Sequence, residues 1–227
     1  MIWFSELLSV VTGPLSTLDS PTAHKLVREV EISSYIQQCI PARATLIGTT
    51  IDGHRSIGEW NAVFLYGETE ITLPVAAAGE GGHLRIYHSM WPILGRHEVR
   101  AAILLADPST KLAGNVNAYF KALDDGDVED ILRTFAPKGY FREPSGEPFV
   151  HRGLDELRQM YSAFFSEGGV SLEHATVTTE DNRTALEYNC NKWGTVPLPS
   201  QAGLAIYRDS GDGLLAVHVY DDVAAPE

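Results

Sequence analysis

From Val116 onward the apolar positions recur three times at helical spacing and then settle into strand alternation. Val116, Tyr119, Phe120 and Leu123 make one i, i+3, i+4, i+7 stripe, and Gly126 is placed to end that helix. Val128, Ile131, Leu132 and Phe135 make a second stripe, with Asp127 as its N-cap. After a strand reading GYFREP (139–144), Leu154, Leu157, Met160/Tyr161 and Phe164 make the third. Residues 170–180, 183–193, 202–208 and 214–221 are then rich in β-branched and aromatic types. Glu-Asp-Asn, Gly194 and Asp-Ser-Gly-Asp-Gly separate them with turn chemistry. Helices followed by a long antiparallel meander predict an α+β unit.

The first hundred residues repeat part of this pattern. TTIDGHRSIGEWN (49–61) aligns with VTTEDNRTALEYN (177–189) without a gap, matching Thr50, Arg55, Glu59 and Asn61 to Thr178, Arg183, Glu187 and Asn189. Leu73-Pro74 then falls against Leu198-Pro199, and Ile86-Tyr87 against Val219-Tyr220. A helix at 3–11 and another at 21–38 precede the first copy, and no counterpart of the GYFREP strand is expected there. Residues 1–102 therefore read as a degenerate repeat and 113–227 as the complete one. The linker falls in ILLADPSTKLAG (103–114), where Pro108 and Ser109 mark a break.

Charge narrows the class of partner. A net charge of −13 without a basic cluster argues against nucleic acid, because phosphate binding needs a Lys/Arg-rich face. No run reaches the ~18 apolar residues of a membrane helix. MIWFSELLSVV lacks a basic leader and carries Glu6, so a cytoplasmic protein is expected. Cys39 and Cys190 have no metal-ligand spacing. Two buried thiols are the expectation, and a bridge between them stays open. The eight histidines form no His-Glu-x-x-His, and Gly79-Glu80-Gly81-Gly82 reads as a hairpin turn rather than a phosphate loop.

Tyr-Phe-x-Ala-Leu-x-x-Gly-Asp from Tyr119, followed by Arg-Glu-Pro-Ser-Gly-Glu-Pro from Arg142, resembles the superfamily of nuclear transport factor 2, ketosteroid isomerase and the SnoaL-like polyketide cyclases. The resemblance covers about half of the chain. It implies two cone-shaped α+β units, each with helices packed on a curved antiparallel sheet. The first unit would be incomplete, and the two would pack sheet to sheet as an intrachain pseudo-dimer. A monomer of that kind, or a weakly associated homodimer, is expected.

The resemblance makes Glu143 the proton-shuttling base and Tyr119 the donor to a developing oxyanion. Strand parity supports the first assignment, since Glu143 shares a face with the apolar Phe141. The family's second oxyanion acid is missing from QAGLAIY (201–207), where Gln201 is the nearest polar side chain. On the last strand His218 and Tyr220 share one face, which the resemblance turns toward the pocket as helpers. Phe141, Tyr161, Phe164 and Gln201 would line it. Asp221 and Asp222 close that strand, and adjacent strand residues face opposite ways, so only one can enter. Glu143 and Asp221 thus stand as alternative bases. Glu59 with Asn61, and Glu187 with Asn189, suit either a contact between halves or a site. His151, Arg152 and His174 read as surface or rim.

The implied function is proton transfer on a small apolar molecule by an isomerase, dehydratase or cyclase. It needs no cofactor or metal, because a positioned carboxylate and a neutral hydroxyl suffice for enolate chemistry. The rival is a non-catalytic binding module for an apolar ligand or a partner, since this fold hosts both.

Overall fold

A computed structural model of the protein describes residues 14–28, 31, 32, 35, 41–147 and 149–223. Two six-stranded sheets carry the chain, and each repeats the other's topology. The first comprises β1 (Thr17–Ser20), β2 (His24–Leu26), β3 (Arg43–Asp52), β4 (Arg55–Tyr66), β5 (Thr69–Glu80) and β6 (His83–Tyr87), in the order β2-β1-β6-β5-β4-β3. The second comprises β7 (Phe135–Arg142), β8 (Val150–Arg152), β9 (Val170–Glu180), β10 (Arg183–Trp193), β11 (Val196–Asp209) and β12 (Leu214–Val219), in the order β8-β7-β12-β11-β10-β9. In each sheet the first strand lies parallel to the last and the other pairings are antiparallel. The helices named among the described residues are α1 (Trp91–Leu94), α2 (Gly114–Asp125), α3 (Val128–Thr134) and α4 (Gly153–Phe164).

The helix signals act as their chemistry dictates. Gly126 caps α2 at φ +70°, where a Cβ would come within 2.6 Å of the Gly169 nitrogen. Asp127 accepts from the Asp130 N–H at 2.9 Å and so caps α3. Phe135, expected on the α3 stripe, instead opens β7. The apolar stripes of α2, α3 and α4 close one face of the second sheet around Leu157, Leu186 and Val217. A smaller cluster, with Leu18, Trp60 and Leu84, lies on the first sheet.

Register makes the duplication explicit. Glu59 pairs with Ala76 as Glu187 pairs with Leu204, and Ala77 pairs with Ile86 as Ala205 pairs with Val219. Asn61 faces Pro74 whereas Asn189 faces Ala202, so Leu198-Pro199 is not the counterpart of Leu73-Pro74. A strand equivalent to GYFREP exists after all. Asp19 lies beside Arg85 on β6 as Arg142 lies beside His218 on β12, which matches Asp19-Ser20-Pro21 to Arg142-Glu143-Pro144. The first unit carries serine where the second carries the glutamate. The helix expected over 21–38 is interrupted for the same reason: Leu18 pairs with Leu26 in a β1–β2 hairpin, and only residues 31, 32 and 35 are described as helical. The predicted helix at 3–11 and Cys39 lie outside the described residues, and Cys190 is a buried free thiol.

The repeat is spent on the contact between the sheets. Ile57, Ala76, Ala78 and Tyr87 meet Ala185, Leu204, Ile206 and Tyr220, which are their own equivalents. Around this apolar patch the two recurring glutamates reach across. Glu187 accepts from Arg85 in a two-point contact (Nε–Oε1 2.6 Å, Nη2–Oε2 2.8 Å) and from the Tyr87 hydroxyl at 2.8 Å. Glu59 accepts from His218 Nδ1 at 2.8 Å, from the Tyr220 hydroxyl and from Arg183. Such reciprocity is the signature of an isologous interface, here within one chain. Burial pushes the Glu187 carboxyl up, but Arg85 and the Thr176 and Tyr87 hydroxyls outweigh it and hold the group below its ordinary range.

Candidate functional site

A cavity of about 670 Å³ opens between the second sheet and its helices. Tyr119 and Leu123 of α2, Phe141 of β7, Tyr161 and Phe164 of α4, and Leu172 of β9 line it. So do Tyr188 and Trp193 of β10, Ala205 and Tyr207 of β11, and Val219 of β12. Three carboxyl groups interrupt these walls: Glu143 beyond the end of β7, Glu167 in the segment after α4, and Asp221 beyond the end of β12. An apolar, aromatic cavity of this size with a few polar groups is what binds a small organic molecule.

Asp221 is the group the fold has worked hardest to place. It is buried, and it accepts from the Tyr188 hydroxyl and from the Val223 N–H at 3.1 Å. Burial pushes its carboxyl up to about 7, against the pull of those two donors. Gly203 makes the room: a Cβ there would sit 2.4 Å from Asp221 Oδ2 and 2.4 Å from the Tyr188 ring. Gly203→Ala is therefore expected to force the pair apart. It should cost ~1–3 kcal/mol by chemical denaturation and lower activity with it.

Glu143 lies at a more open place. Its side chain is 24% exposed, and its Oε1 bonds His151 Nε2 at 2.6 Å across the β7–β8 hairpin. Tyr119 is buried beneath, its hydroxyl 2.8 Å from that of Tyr161. Burial raises the hydroxyls of Tyr119, Tyr161, Tyr188 and Tyr207 above their ordinary range, so each is a neutral donor.

The structure thus brings Tyr119, Glu143, Phe141, Tyr161 and Phe164 around one cavity. His218 and Tyr220 do not join them. Their strand parity holds, but Val219 and Asp221 take the cavity face, and His218 and Tyr220 turn to Glu59 between the sheets. Both faces of this sheet are buried, so alternation alone could not tell which one was the pocket. Tyr140 bonds His218 Nε2 at 2.8 Å. Burial, together with Arg142, Arg183 and Arg208, lowers the His218 pKa and keeps the ring neutral. Gln201 is buried on β11 outside the cavity lining. Asp222 faces away from Asp221, as adjacent strand-end residues should, and binds the segment after β6.

Sequence reasoning missed the Tyr188–Asp221 pair and the Glu143–His151 pair. A glycine at position 203, inside an apolar strand, was the available signal for the first.

Residues 116–218 match the family model described as the SnoaL-like domain. No curated protein sequence matches the chain. Among solved structures, the fold is similar to a polyketide cyclase candidate from Sinorhizobium meliloti. That match has 18% identity and a TM-score of 0.41, over 48% of this chain and 94% of the other. It is similar also to an NTF2-like protein of unknown function from Cytophaga hutchinsonii, at 17% identity and TM-score 0.39, over 49% and 92% of the two chains. A ketosteroid isomerase candidate from Kribbella flavida is similar at 15% identity and TM-score 0.39, over 50% and 79%. No helix among the described residues is long and apolar enough to cross a membrane.

Proposed function

We propose, from the premise that residues 116–218 form a SnoaL-like domain, that the chain is an enzyme moving a proton on a small apolar molecule in the cavity of its second unit. Isomerisation, dehydration and cyclisation all fit this chemistry. The observation that carries the reading is the pairing of a buried Asp221 with Tyr188 at the wall of an otherwise apolar cavity. A carboxyl that gains and loses its proton near neutrality serves as donor in one step and acceptor in the next. In its protonated form, Asp221 gives a hydrogen bond to an oxygen on which negative charge develops, while Tyr188 fixes its orientation. Glu143, steadied by His151, takes the proton from carbon at the more open side. Tyr119 supplies a further neutral donor once an occupant draws its hydroxyl from Tyr161. His218 and Tyr220 keep a structural part at the interface.

A non-catalytic binding module is favoured by one observation: the Tyr119 and Tyr161 hydroxyls bond each other at 2.8 Å, so one of the two already spends its hydrogen within the protein. Exchange chemistry separates the two readings. Apolar cyclic ketones in D₂O should lose α-protons in the presence of the protein, followed by NMR. Glu143→Gln keeps shape and hydrogen bonding while removing the proton acceptor, so it should slow exchange by roughly tenfold or more with an unchanged melting curve. Exchange no faster with the wild-type protein than in buffer alone would establish the binding module instead.

A further inference from the structure

The first unit reaches into the cavity of the second through one side chain. His97 lies on the segment after α1, belonging to the first half of the chain, yet it lines the cavity beside residues of the second sheet. Asp222 holds it there. One carboxyl oxygen of Asp222 accepts from His97 Nδ1 at 3.1 Å and from the Ser89 hydroxyl. The other accepts from the Met90 N–H at 2.6 Å and the Glu98 N–H at 3.0 Å. All four donors lie within residues 89–98. The Ser89 oxygen accepts in turn from the Trp91 N–H at 3.0 Å, and the Trp91 ring packs on the His97 ring with centroids 4.9 Å apart.

This arrangement fixes which nitrogen of His97 is free. Nδ1 faces a carboxyl oxygen and so carries the hydrogen, which leaves the lone pair on Nε2. Nε2 has no hydrogen-bond partner among the described residues, and the side chain is partly exposed, 37%. Asp221 and Asp222 are neighbours in sequence. The strand end that aims one carboxyl into the cavity therefore positions, through the other, a partly exposed imidazole at the cavity wall.

We infer that the cavity is a composite of both units, in which His97 Nε2 accepts a hydrogen bond from a hydroxyl or enol at the outer end of an apolar ligand. The inference rests on the reading of the cavity as an apolar small-molecule site and names the class of molecule it selects: a hydrocarbon skeleton bearing an O–H group. It also gives the incomplete unit a use. Without residues 89–98 the cavity would lack this acceptor.

Calorimetric titration with 2-naphthol and with naphthalene tests this without needing turnover. The wild-type protein should bind 2-naphthol tighter by about three- to tenfold, the worth of one good hydrogen bond. His97→Phe keeps an aromatic ring against Trp91 but removes the acceptor, so the ratio should fall to about one while naphthalene binding holds. His97→Gln, whose side-chain oxygen can accept, should restore part of the preference. A preference that survives His97→Phe overturns the inference while leaving the cavity reading intact. Equal losses for both probes would overturn it too, since His97 would then only fill space. Failure of the wild-type protein to bind either probe would sink the cavity reading, and this inference with it.

Discussion

Asp221→Asn is expected to lower turnover by orders of magnitude and, above neutral pH, to make the protein more stable. Both effects come from one cause. The Asp221 carboxyl is raised by burial to about 7 in the folded chain, well above its value in an unfolded one. The folded state therefore binds the extra proton between roughly pH 4 and 7. Stability from this group is fully present below that window and is lost as pH rises through it. Across the whole window the loss is about 4 kcal/mol, an upper figure because neighbouring groups relax. Asparagine carries no charge to bury and still accepts from Tyr188. Denaturation at pH 8 should then show a gain of about 1–3 kcal/mol, and the acid side should show none. Activity should fall roughly 10²–10³-fold, the worth of a general acid–base group. A variant that loses stability at pH 8, or retains activity, would remove Asp221 from the chemistry.

Glu187→Ala is expected to give the largest loss of stability among single changes at the interface. It strips Arg85, itself 5% exposed, of its two-point partner and leaves the Tyr87 and Thr176 hydroxyls without their acceptor. Arg85 keeps only a longer contact to Glu80, at 3.7 Å, so the cost should approach the ~3–5 kcal/mol of a buried ion pair that loses one partner. Replacing both members by apolar side chains, as in Glu187→Leu with Arg85→Met, should recover most of that cost, because the pair's attraction mainly offsets its own desolvation. Chemical denaturation of the two single variants and the double variant gives the coupling directly. If Glu187→Ala loses less than about 1 kcal/mol, the cross-sheet ion pair is not holding the halves together.

Where the chain forms long regular elements, its sequence was legible. β9 and β10 coincide with the windows 170–180 and 183–193, because each runs for eleven residues between plain turn signals. The caps at Gly126 and Asp127 were equally plain. Short elements were not. β1 and β2 have four and three residues, too few to show alternation against the helical spacing that runs on past them. With them went the counterpart of the Arg-Glu-Pro strand, visible only once Asp19 is seen beside Arg85.

The site was half legible for a different reason. Tyr119, Phe141, Glu143, Tyr161 and Phe164 sit on elements whose inner face is set by apolar stripes, and they converge. His218 and Tyr220 sit on a strand buried on both sides. There the polar residues of the interface and those of the cavity obey the same alternation. The repeated Glu59 and Glu187 carried the missing information, since a polar residue kept in both copies points to what the copies share: their mutual contact. His97 was beyond reach, because nothing local in Arg-His-Glu says that a loop of one unit closes the cavity of the other.

The most direct test of the proposed chemistry is the titration of the Asp221 carboxyl in the intact protein, followed by its ¹³C resonance and assigned by comparison with Asp221→Asn. A midpoint near 7 is predicted, with the Tyr188→Phe variant titrating higher because a donor to the charged form is gone. A midpoint near 4, the ordinary value for an exposed aspartate at about 3.9, would contradict it.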